Sequence, residues 1–482
     1  MIDHSLVITI LSESRADMNV KQTVTALVKH DIFIPALIGV ALRIILMPFF
    51  IWPHDIVAQF FSLTSVLNHY DPYSLSVSMY PPFIYMLFYP LLLIASKIGL
   101  VFRFFVFPVT FKAAMFTQLI TPIFGDPTFL IFWKSPLLIF DLLTSLLVYA
   151  LTKELTGNPS KAKKGFILWF FNPFVLITSY VHGAFDIVAV FFIMLGIYFL
   201  SKNKYLLSGI SFGFGGITKI SPFLIAIPLS FLVFLKDPDE PKSVFSHKRW
   251  SNFVTILVGC AIPIVISIPW NINYYHQLVS STLNELSING GLNQWFFAAN
   301  ENLRVTILNP NLNLLRDLFY FYPLISLIPL ILLRKSLWNS KIHLKTILLC
   351  SLLSLIVVYF VSPASVAPQY ILWIVPILTV ISMKNRYFYL PLAILSFAAS
   401  AFFFSIQTPF AFMYPLALFT PLYDVNQLNT AVIDYARMPG VFCSHLREDL
   451  GLVFGAIGFF GLLLSVFLIV KELRKVVEDA QI

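Results

Sequence analysis

The segment with the clearest chemistry lies at residues 52–61, where Trp52-Pro53-His54-Asp55 precedes an apolar run that ends at Phe61. Pro53 favours a break in a helix, and the residues after it have the pattern of an amphipathic segment at a membrane interface. A carboxylate beside apolar side chains is partly desolvated, which raises its basicity and suits it to take a proton from a hydroxyl group. Asp55 is therefore a candidate general base. Its alternative role is to cap the short helix that follows.

Further ionisable groups lie in short turns between apolar runs. His182 and Asp186 are at i and i+4, so both lie on one face if their turn is helical; the alternative is that Asp186 caps the apolar run that it begins. Lys219 lies in the turn before Pro222, where its ammonium group either binds a lipid phosphate or reaches the outer headgroups. One His and one Asp are too few to indicate a metal site.

Further charged residues within apolar runs are Arg43, Lys134 and Asp141. A charged side chain at membrane depth costs about 2.5 to 3.5 kcal/mol on insertion scales, so each needs a partner or a task. We expect Asp141 to pair with a donor on a neighbouring helix rather than to react.

The elements that position these residues are membrane helices. Of 482 residues, 58% are hydrophobic and 11% are charged, which excludes a soluble fold. The net charge of +9 does not indicate a nucleic-acid partner, because the basic residues lie in short loops between apolar runs. Runs near the length of a membrane helix cover 32–51, 81–97, 132–152, 165–180, 186–201, 206–218, 221–235, 252–270, 317–333, 346–362, 370–383, 387–405 and 450–470.

Basic clusters in alternate loops predict the orientation, because Lys and Arg concentrate on the cytoplasmic side. Parity then requires the segment 101–124 to cross or re-enter the membrane, which gives an all-α bundle of about 13–14 spans. Asp55, His182, Asp186 and Lys219 all fall on the outer face. The expected order is a cytoplasmic tail (1–31), a module at 32–235 with outer loop 52–80, a cytoplasmic loop (236–251), a module at 252–470 with outer loops 271–316 and 406–449, and a tail (471–482). We expect short interfacial helices in the outer loops.

Several motifs together resemble a known family. They are Asp55-Ile56 with Gln59 and Phe61, Pro72-Tyr73, Tyr80 with Pro82, Phe140-Asp141-Leu142-Leu143-Thr144, Phe171-Asn172-Pro173, Gly183 with Asp186-Ile187-Val188, Lys219-Ile220 with Pro222, and Gln369-Tyr370-Ile371-Leu372-Trp373. In order and spacing they resemble the C-type (GT-C) glycosyltransferases, which take sugars from polyprenyl-phosphate donors. The likeness is nearest to the mannosyltransferases that add the first mannose of the GPI-anchor precursor. Tyr80-Pro81-Pro82 and Asp71-Pro72-Tyr73 also read as turn and helix-start signals with a purely structural role.

The resemblance implies a transfer of mannose from a dolichyl- or polyprenyl-phosphate donor to a lipid-linked or glycolipid acceptor, with inversion at the anomeric carbon. Asp55 would be the catalytic base. Lys219 is the first choice for the donor phosphate and Arg43 the second. The remaining candidates would bind substrate: His182, Asp186, Gln59, Tyr80, Gln369 and Tyr370.

The family's first outer loop has two aspartates one residue apart, and Val57 occupies the second position here. This departure weakens the case for a divalent metal, so we assign no cofactor and no metal ligands, with a divalent metal as the open alternative. Membrane lipid is an expected partner, and an accessory membrane subunit is an open one. The protein would lie in the endoplasmic reticulum membrane of a eukaryote or the cell membrane of a prokaryote. The alternative function is a lipid-linked glycan flippase or a secondary transporter.

Overall fold

All regular secondary structure in the described part of the chain is helical. The computed structural model describes residues 31–48, 81–97, 127–219, 221–235, 247–285, 325, 327, 344–361, 368–402 and 443–479. Within them the α-helices are α1 (Phe33–Leu46), α2 (Pro82–Lys97), α3 (Pro127–Thr156), α4 (Pro159–Phe170), α5 (Pro173–Leu176), α6 (Asp186–Ser201), α7 (Tyr205–Gly216), α8 (Ser221–Leu235), α9 (His247–Glu285), α10 (Leu344–Val361), α11 (Val375–Lys384), α12 (Tyr389–Phe402) and α13 (Cys443–Asp479). A π-helix covers Ile177–His182, and 3₁₀-helices cover Pro368–Trp373 and Arg386–Phe388. The predicted all-α class is confirmed.

Three helical segments are long and apolar enough to cross a membrane: Leu130–Thr156, Arg249–Ile268 and Val453–Lys475. A fourth span results if α4 and the helix Pro173–His182, which is bent from it by 43°, are taken together. Seven shorter apolar helices of 10–17 residues accompany them in the described part of the chain. These features are those of a helical membrane protein, and the total of 13–14 spans stays a prediction.

Two helices extend well beyond the predicted apolar runs, α9 and α13. The helix α9 begins inside the predicted cytoplasmic loop 236–251 and continues to Glu285, well into the predicted outer segment 271–316. The helix α13 begins at Cys443 and continues to Asp479, through most of the predicted tail. Polar residues such as Asn271 mark the end of an apolar stretch, but they do not stop a helix whose backbone hydrogen bonds continue. Hydropathy therefore located these helices and underestimated their length.

Two Asn-Pro pairs start helices around the bent segment. Asn158 accepts a hydrogen bond from the backbone N–H of Ser160 at 2.9 Å, and Asn172 accepts one from Phe174 at 2.9 Å. In both cases proline follows as the first helical residue, where its missing N–H costs nothing. The Asn172 amide also donates to the Ser396 hydroxyl at 2.9 Å, which joins α5 to α12. The Asn-Pro motif at residue 172 thus sets the direction of the helix that leads to His182.

One hydrophobic core spans both predicted modules. Its buried side chains come from the helices between Ile84 and Cys260 and also from the helices between Leu344 and Leu473. The 3₁₀-helix Pro368–Trp373 packs against α6, which brings the Gln369–Trp373 motif to the N-terminal module. The two modules therefore fold as one packed unit.

The helix α7 is held against α9 by glycines. A Cβ atom on Gly209 would lie 2.9 Å from the Cα of Gly259 and would overlap the backbone carbonyl of Ile256. Such close approach of two backbones is typical of membrane helices, where small residues maximise van der Waals contact. This packing fixes the position of α7, which ends in the turn that carries Lys219.

The turn between α7 and α8 is equally tight. A Cβ on Gly215 would lie 2.8 Å from the Cβ of Pro222, and one on Gly216 would overlap the ring of Phe223. The backbone N–H of Lys219 donates to the Gly215 carbonyl at 2.8 Å, which closes the end of α7. Lys219 is therefore held at the tip of a helical hairpin.

Several helix ends converge at the same end of the bundle as Lys219. The buried Lys134 ammonium group donates to the Met47 carbonyl at the end of α1, at 3.0 Å, and to the Tyr180 carbonyl in the π-helix, at 2.6 Å. The backbone N–H of Phe83, at the start of α2, donates to the Ile217 carbonyl beside the Lys219 turn at 3.0 Å. These contacts agree with the predicted grouping of residues at one membrane face, and the assignment of that face as the outer one stays a prediction.

We expect Gly259→Val to reduce stability by about 1–3 kcal/mol, because the added side chain forces α7 and α9 apart. The measurement is thermal unfolding of the purified protein in detergent. Ala261→Val is the matched control, since Ala261 lies on the exposed side of the same helix. Equal melting temperatures for the two variants would contradict the close glycine packing.

Candidate functional site

The candidate site is built around Lys219 and Asp186. The Lys219 Nζ lies 3.9 Å from Oδ1 of Asp186, the first residue of α6. The Lys219 side chain is 18% exposed and the Asp186 side chain only 2%. The ammonium group thus meets a buried carboxylate at the limit of ion-pair distance while it stays accessible from outside.

A pair of stacked aromatic rings completes this arrangement. The indole N–H of Trp373 donates to Asp186 Oδ1 at 3.1 Å, across 187 positions of the chain. The Trp373 ring stacks on the Tyr370 ring with 4.4 Å between centroids and 16° between planes. The Lys219 Nζ lies 5.1 Å from the centroid of the Tyr370 ring, within cation–π range. The 3₁₀-helix therefore presents an aromatic surface beside a cation.

The structure thus brings together three of the predicted site residues, Lys219, Asp186 and Tyr370. Gln369 precedes Tyr370 and is 8% exposed. Its Oε1 atom is buried and has no hydrogen-bond partner among the described residues. Trp373 was part of the resembling motif but was not predicted as a site residue. The only feature of the sequence that could have indicated a role for Trp373 is its position three residues after Tyr370.

His182 lies in the last position of the π-helix and is 2% exposed. Gly183 follows in the left-handed region with φ of 82°, a conformation that favours glycine, and ends the helix. The backbone N–H of Ala184 then closes back on the Thr178 carbonyl at 3.0 Å. The turn from His182 to Asp186 is therefore not helical, and the two side chains do not share a helical face.

Arg43 lies in a buried cluster. Its Nε donates to Asp141 Oδ2 at 2.7 Å, and its two terminal nitrogens donate to the carbonyls of Gly39 at 3.0 Å and Phe170 at 2.6 Å. The guanidinium group also lies 3.5 Å from the centroid of the Phe170 ring. Each of its three nitrogens has a protein oxygen as partner, in a side chain that is 0% exposed.

Asp141 is the acceptor at the centre of this cluster. Besides Arg43, it receives the Trp169 indole N–H at 3.0 Å on Oδ1 and the Tyr180 hydroxyl at 3.0 Å on Oδ2. The prediction that Asp141 pairs with donors on neighbouring helices is confirmed. Sequence reasoning did not identify Trp169 and Tyr180, because a hydrogen-bonding aromatic leaves no spacing signal in a chain with 16% aromatic residues.

Asp55, Gln59 and Tyr80 lie outside the described residues, so their predicted roles stay predictions. The segment that contains them is bounded by Met47 and Phe83, both of which are tied to the end of the bundle where Lys219 lies. No three His, Cys, Asp or Glu side chains are grouped as metal ligands within the described ranges.

The central part of the chain is similar to known mannosyltransferases. Residues 109–268, about a third of the chain, match the family described as dolichyl-phosphate-mannose-protein mannosyltransferase. The chain is also 33% identical over 133 residues to GPI mannosyltransferase 1 of Saccharomyces cerevisiae, covering 26% of this chain and 32% of that protein. The resemblance to mannosyltransferases is confirmed. GPI mannosyltransferase 1 of Kluyveromyces lactis is 28% identical over 133 residues, covering 27% of this chain and 30% of that relative.

The matched stretch spans about a third of the length of each of these relatives. The range 109–268 includes Asp141, Asp186 and Lys219, whereas Asp55 and Gln369 lie outside it. The range that matches the mannosyltransferase family therefore contains the Lys219–Asp186 pair.

We expect Asp141→Ala to lower stability by about 3–5 kcal/mol, because it leaves the buried Arg43 guanidinium group without its counter-charge. Thermal unfolding in detergent measures the effect. Replacing both partners by apolar residues, as in Arg43→Met with Asp141→Leu, should recover a large part of the loss.

The control for this experiment is Glu154→Ala. Glu154 pairs with Lys202 at 2.9 Å, but both side chains are about one quarter exposed, so the change should cost less than about 1 kcal/mol. An Asp141→Ala variant as stable as Glu154→Ala would show that the buried cluster has no structural role.

Proposed function

We propose that the protein is an integral-membrane mannosyltransferase with a GT-C fold. It would move mannose from a dolichyl- or polyprenyl-phosphate donor to a lipid-linked or glycolipid acceptor on the non-cytoplasmic side of its membrane. Support comes from the match at residues 109–268, from the names of the two yeast relatives, and from the apolar helices that would hold an isoprenoid chain.

The observation that carries the proposal is the accessible Lys219 ammonium group at the end of a membrane bundle. Transfer breaks the bond between the anomeric carbon and a phosphate oxygen, so negative charge grows on the departing phosphate. A fixed cation at that place stabilises the transition state, and one such donor contributes about 2.7–4 kcal/mol in studied enzymes. The Lys219 side chain is 18% exposed and its ion pair with Asp186 is 3.9 Å long, so a second anion can approach the ammonium group.

The proposal gives the phosphate to Lys219 and leaves Arg43 in its buried cluster. Arg43 would have to give up its hydrogen bonds to Asp141 and to two backbone carbonyls before it could reach a ligand. Breaking a buried pair in this way is costly. The Lys219 side chain is 18% exposed, so a phosphate can reach its ammonium group without breaking a buried pair of this kind.

Asp55 is the proposed general base. The acceptor hydroxyl oxygen attacks the anomeric carbon, its proton passes to the Asp55 carboxylate, and the polyprenyl phosphate leaves with the electrons of the broken bond. Attack opposite to the leaving phosphate inverts the configuration at that carbon. Both ends of the segment that carries Asp55 are tied to the Lys219 end of the bundle, which supports this pairing of base and cation.

The sugar would lie against the Tyr370–Trp373 ring pair. Aromatic faces are complementary to the C–H groups of a hexose, and the neighbouring Gln369 Oε1 is a buried acceptor with no partner in the described part of the chain. His182 remains a proposed ligand for a sugar hydroxyl. Asp186 would act mainly by orienting Lys219, since its Oδ1 accepts from Trp373.

The proposal is tested by incubating the purified protein in detergent with labelled dolichyl-phosphate mannose and a GPI-precursor glycolipid. Lys219→Met should lower kcat by about 100-fold or more, because the cation acts on charge that forms only in the transition state. Lys202→Met is the matched control, since Lys202 also pairs with a carboxylate but lies next to α6 at its opposite end. Absence of transfer by the wild-type protein, with flipping of the same lipid in vesicles, would favour the transporter alternative.

We expect Asp55→Asn to abolish transfer, because an amide cannot take the acceptor proton. The variant should still unfold at the wild-type temperature and still be stabilised by the donor. Wild-type turnover by Asp55→Asn would remove this residue from the mechanism.

A further inference from the structure

Most buried serine and threonine hydroxyls of the described helices donate to a backbone carbonyl. Many of these carbonyls lie four residues earlier, as for Ser211 with Leu207 at 2.8 Å and Ser230 with Ala226 at 2.6 Å. Ser221 is 0% exposed, and its Oγ has no hydrogen-bond partner among the described residues. A buried polar group without a partner costs about 1–3 kcal/mol, so its retention needs a reason.

Four buried serine and threonine hydroxyls are unpartnered in the described part of the chain: Thr152, Thr178, Ser179 and Ser221. Thr178 and Ser179 lie within the π-helix, whose wider turn changes the position of the carbonyl four residues earlier. Thr152 lies inside the regular helix α3, whereas Ser221 is the first residue of α8. Of these four residues, Ser221 is the nearest in sequence to Lys219.

The local structure explains why the Ser221 hydroxyl does not donate to the backbone of its own helix. It is the first residue of α8, and the carbonyl four residues earlier belongs to Ile217, which lies in the preceding turn. That carbonyl already accepts the backbone N–H of Phe83 at 3.0 Å. Because Ile217 precedes α8, Ser221 lacks the helical geometry that brings other hydroxyls to the carbonyl four residues earlier.

The surroundings of Ser221 favour an anion. The N-terminus of the 15-residue helix α8 carries the positive end of the helix dipole. The Lys219 ammonium group, from the same turn, adds a full charge. A hydroxyl donor, a helix N-terminus and a lysine together match the oxygens of a phosphate group.

We infer that Ser221 is a phosphate ligand of the lipid donor: its hydroxyl donates to a non-bridging oxygen of the polyprenyl phosphate whose charge Lys219 neutralises. This inference rests on the proposed function and adds a residue to its site. In the transfer step the same hydrogen bond is kept as the phosphate leaves, so Ser221 binds donor and product alike. It should therefore act on the donor KM more than on kcat.

The test compares Ser221→Ala with Ser230→Ala, the same substitution at a buried position of the same helix. Ser221→Ala should leave the melting temperature of the ligand-free protein unchanged or raise it, since it removes an unpartnered polar atom. It should raise the KM for dolichyl-phosphate mannose about tenfold and reduce stabilisation by dolichyl phosphate. Ser230→Ala should leave the donor KM and this stabilisation unchanged.

Inorganic phosphate at the same concentration should stabilise neither protein, which separates a lipid-phosphate site from a free-phosphate site. A Ser221→Ala variant that melts earlier or fails to fold would show that the hydroxyl is structural and overturn the inference. An unchanged donor KM would overturn it as well, while wild-type transfer upheld the proposed function. If the wild-type protein neither transfers mannose nor responds to dolichyl phosphate, the proposed function itself fails.

Discussion

The ammonium group of Lys134 is the constraint on which this end of the bundle depends. It is 0% exposed inside a membrane helix, where a charge without partners is costly. It donates to the carbonyls of Met47 and Tyr180, which lie at helix C-terminal ends and carry partial negative charge. Both helices must therefore end beside α3. The segment after Met47 and the turn that leads to Asp186 consequently start from positions that one buried cation determines.

The positions of the helices follow from composition, because a membrane helix needs an apolar run that a sequence displays directly. Their ends do not. The helix α9 continues past Asn271 to Glu285 because polar residues outside the hydrocarbon are compatible with helical hydrogen bonding. The predicted run 370–383 is divided between two helices. A 3₁₀-helix ends at Trp373, and a new α-helix begins at Val375 with Pro376 in its first turn. Such details depend on tertiary packing.

The candidate site was predictable to the extent that its members are ionisable residues at the ends of apolar runs. Lys219 and Asp186 were found because the membrane penalises charge. Their partner Trp373 was not, since its contact spans 187 positions and indole side chains are common in an aromatic-rich chain. The same holds for Arg43 and Asp141: the need for a partner follows from burial, whereas the identity of that partner, 98 positions away, requires the fold.

The two cation–carboxylate pairs differ in distance and in burial. Arg43 and Asp141 meet at 2.7 Å with both side chains 0% exposed, and two further donors satisfy the carboxylate. Lys219 and Asp186 meet at 3.9 Å with the lysine 18% exposed. The first pair cannot release a charge without leaving another buried and unpaired. In the second, the Trp373 indole also donates to the carboxylate, so Asp186 keeps a hydrogen-bond donor in the proposed phosphate complex of Lys219. The proposed phosphate site at Lys219 requires the second kind of pair, because a bound phosphate must also be released, while the first kind holds the surrounding helices in place.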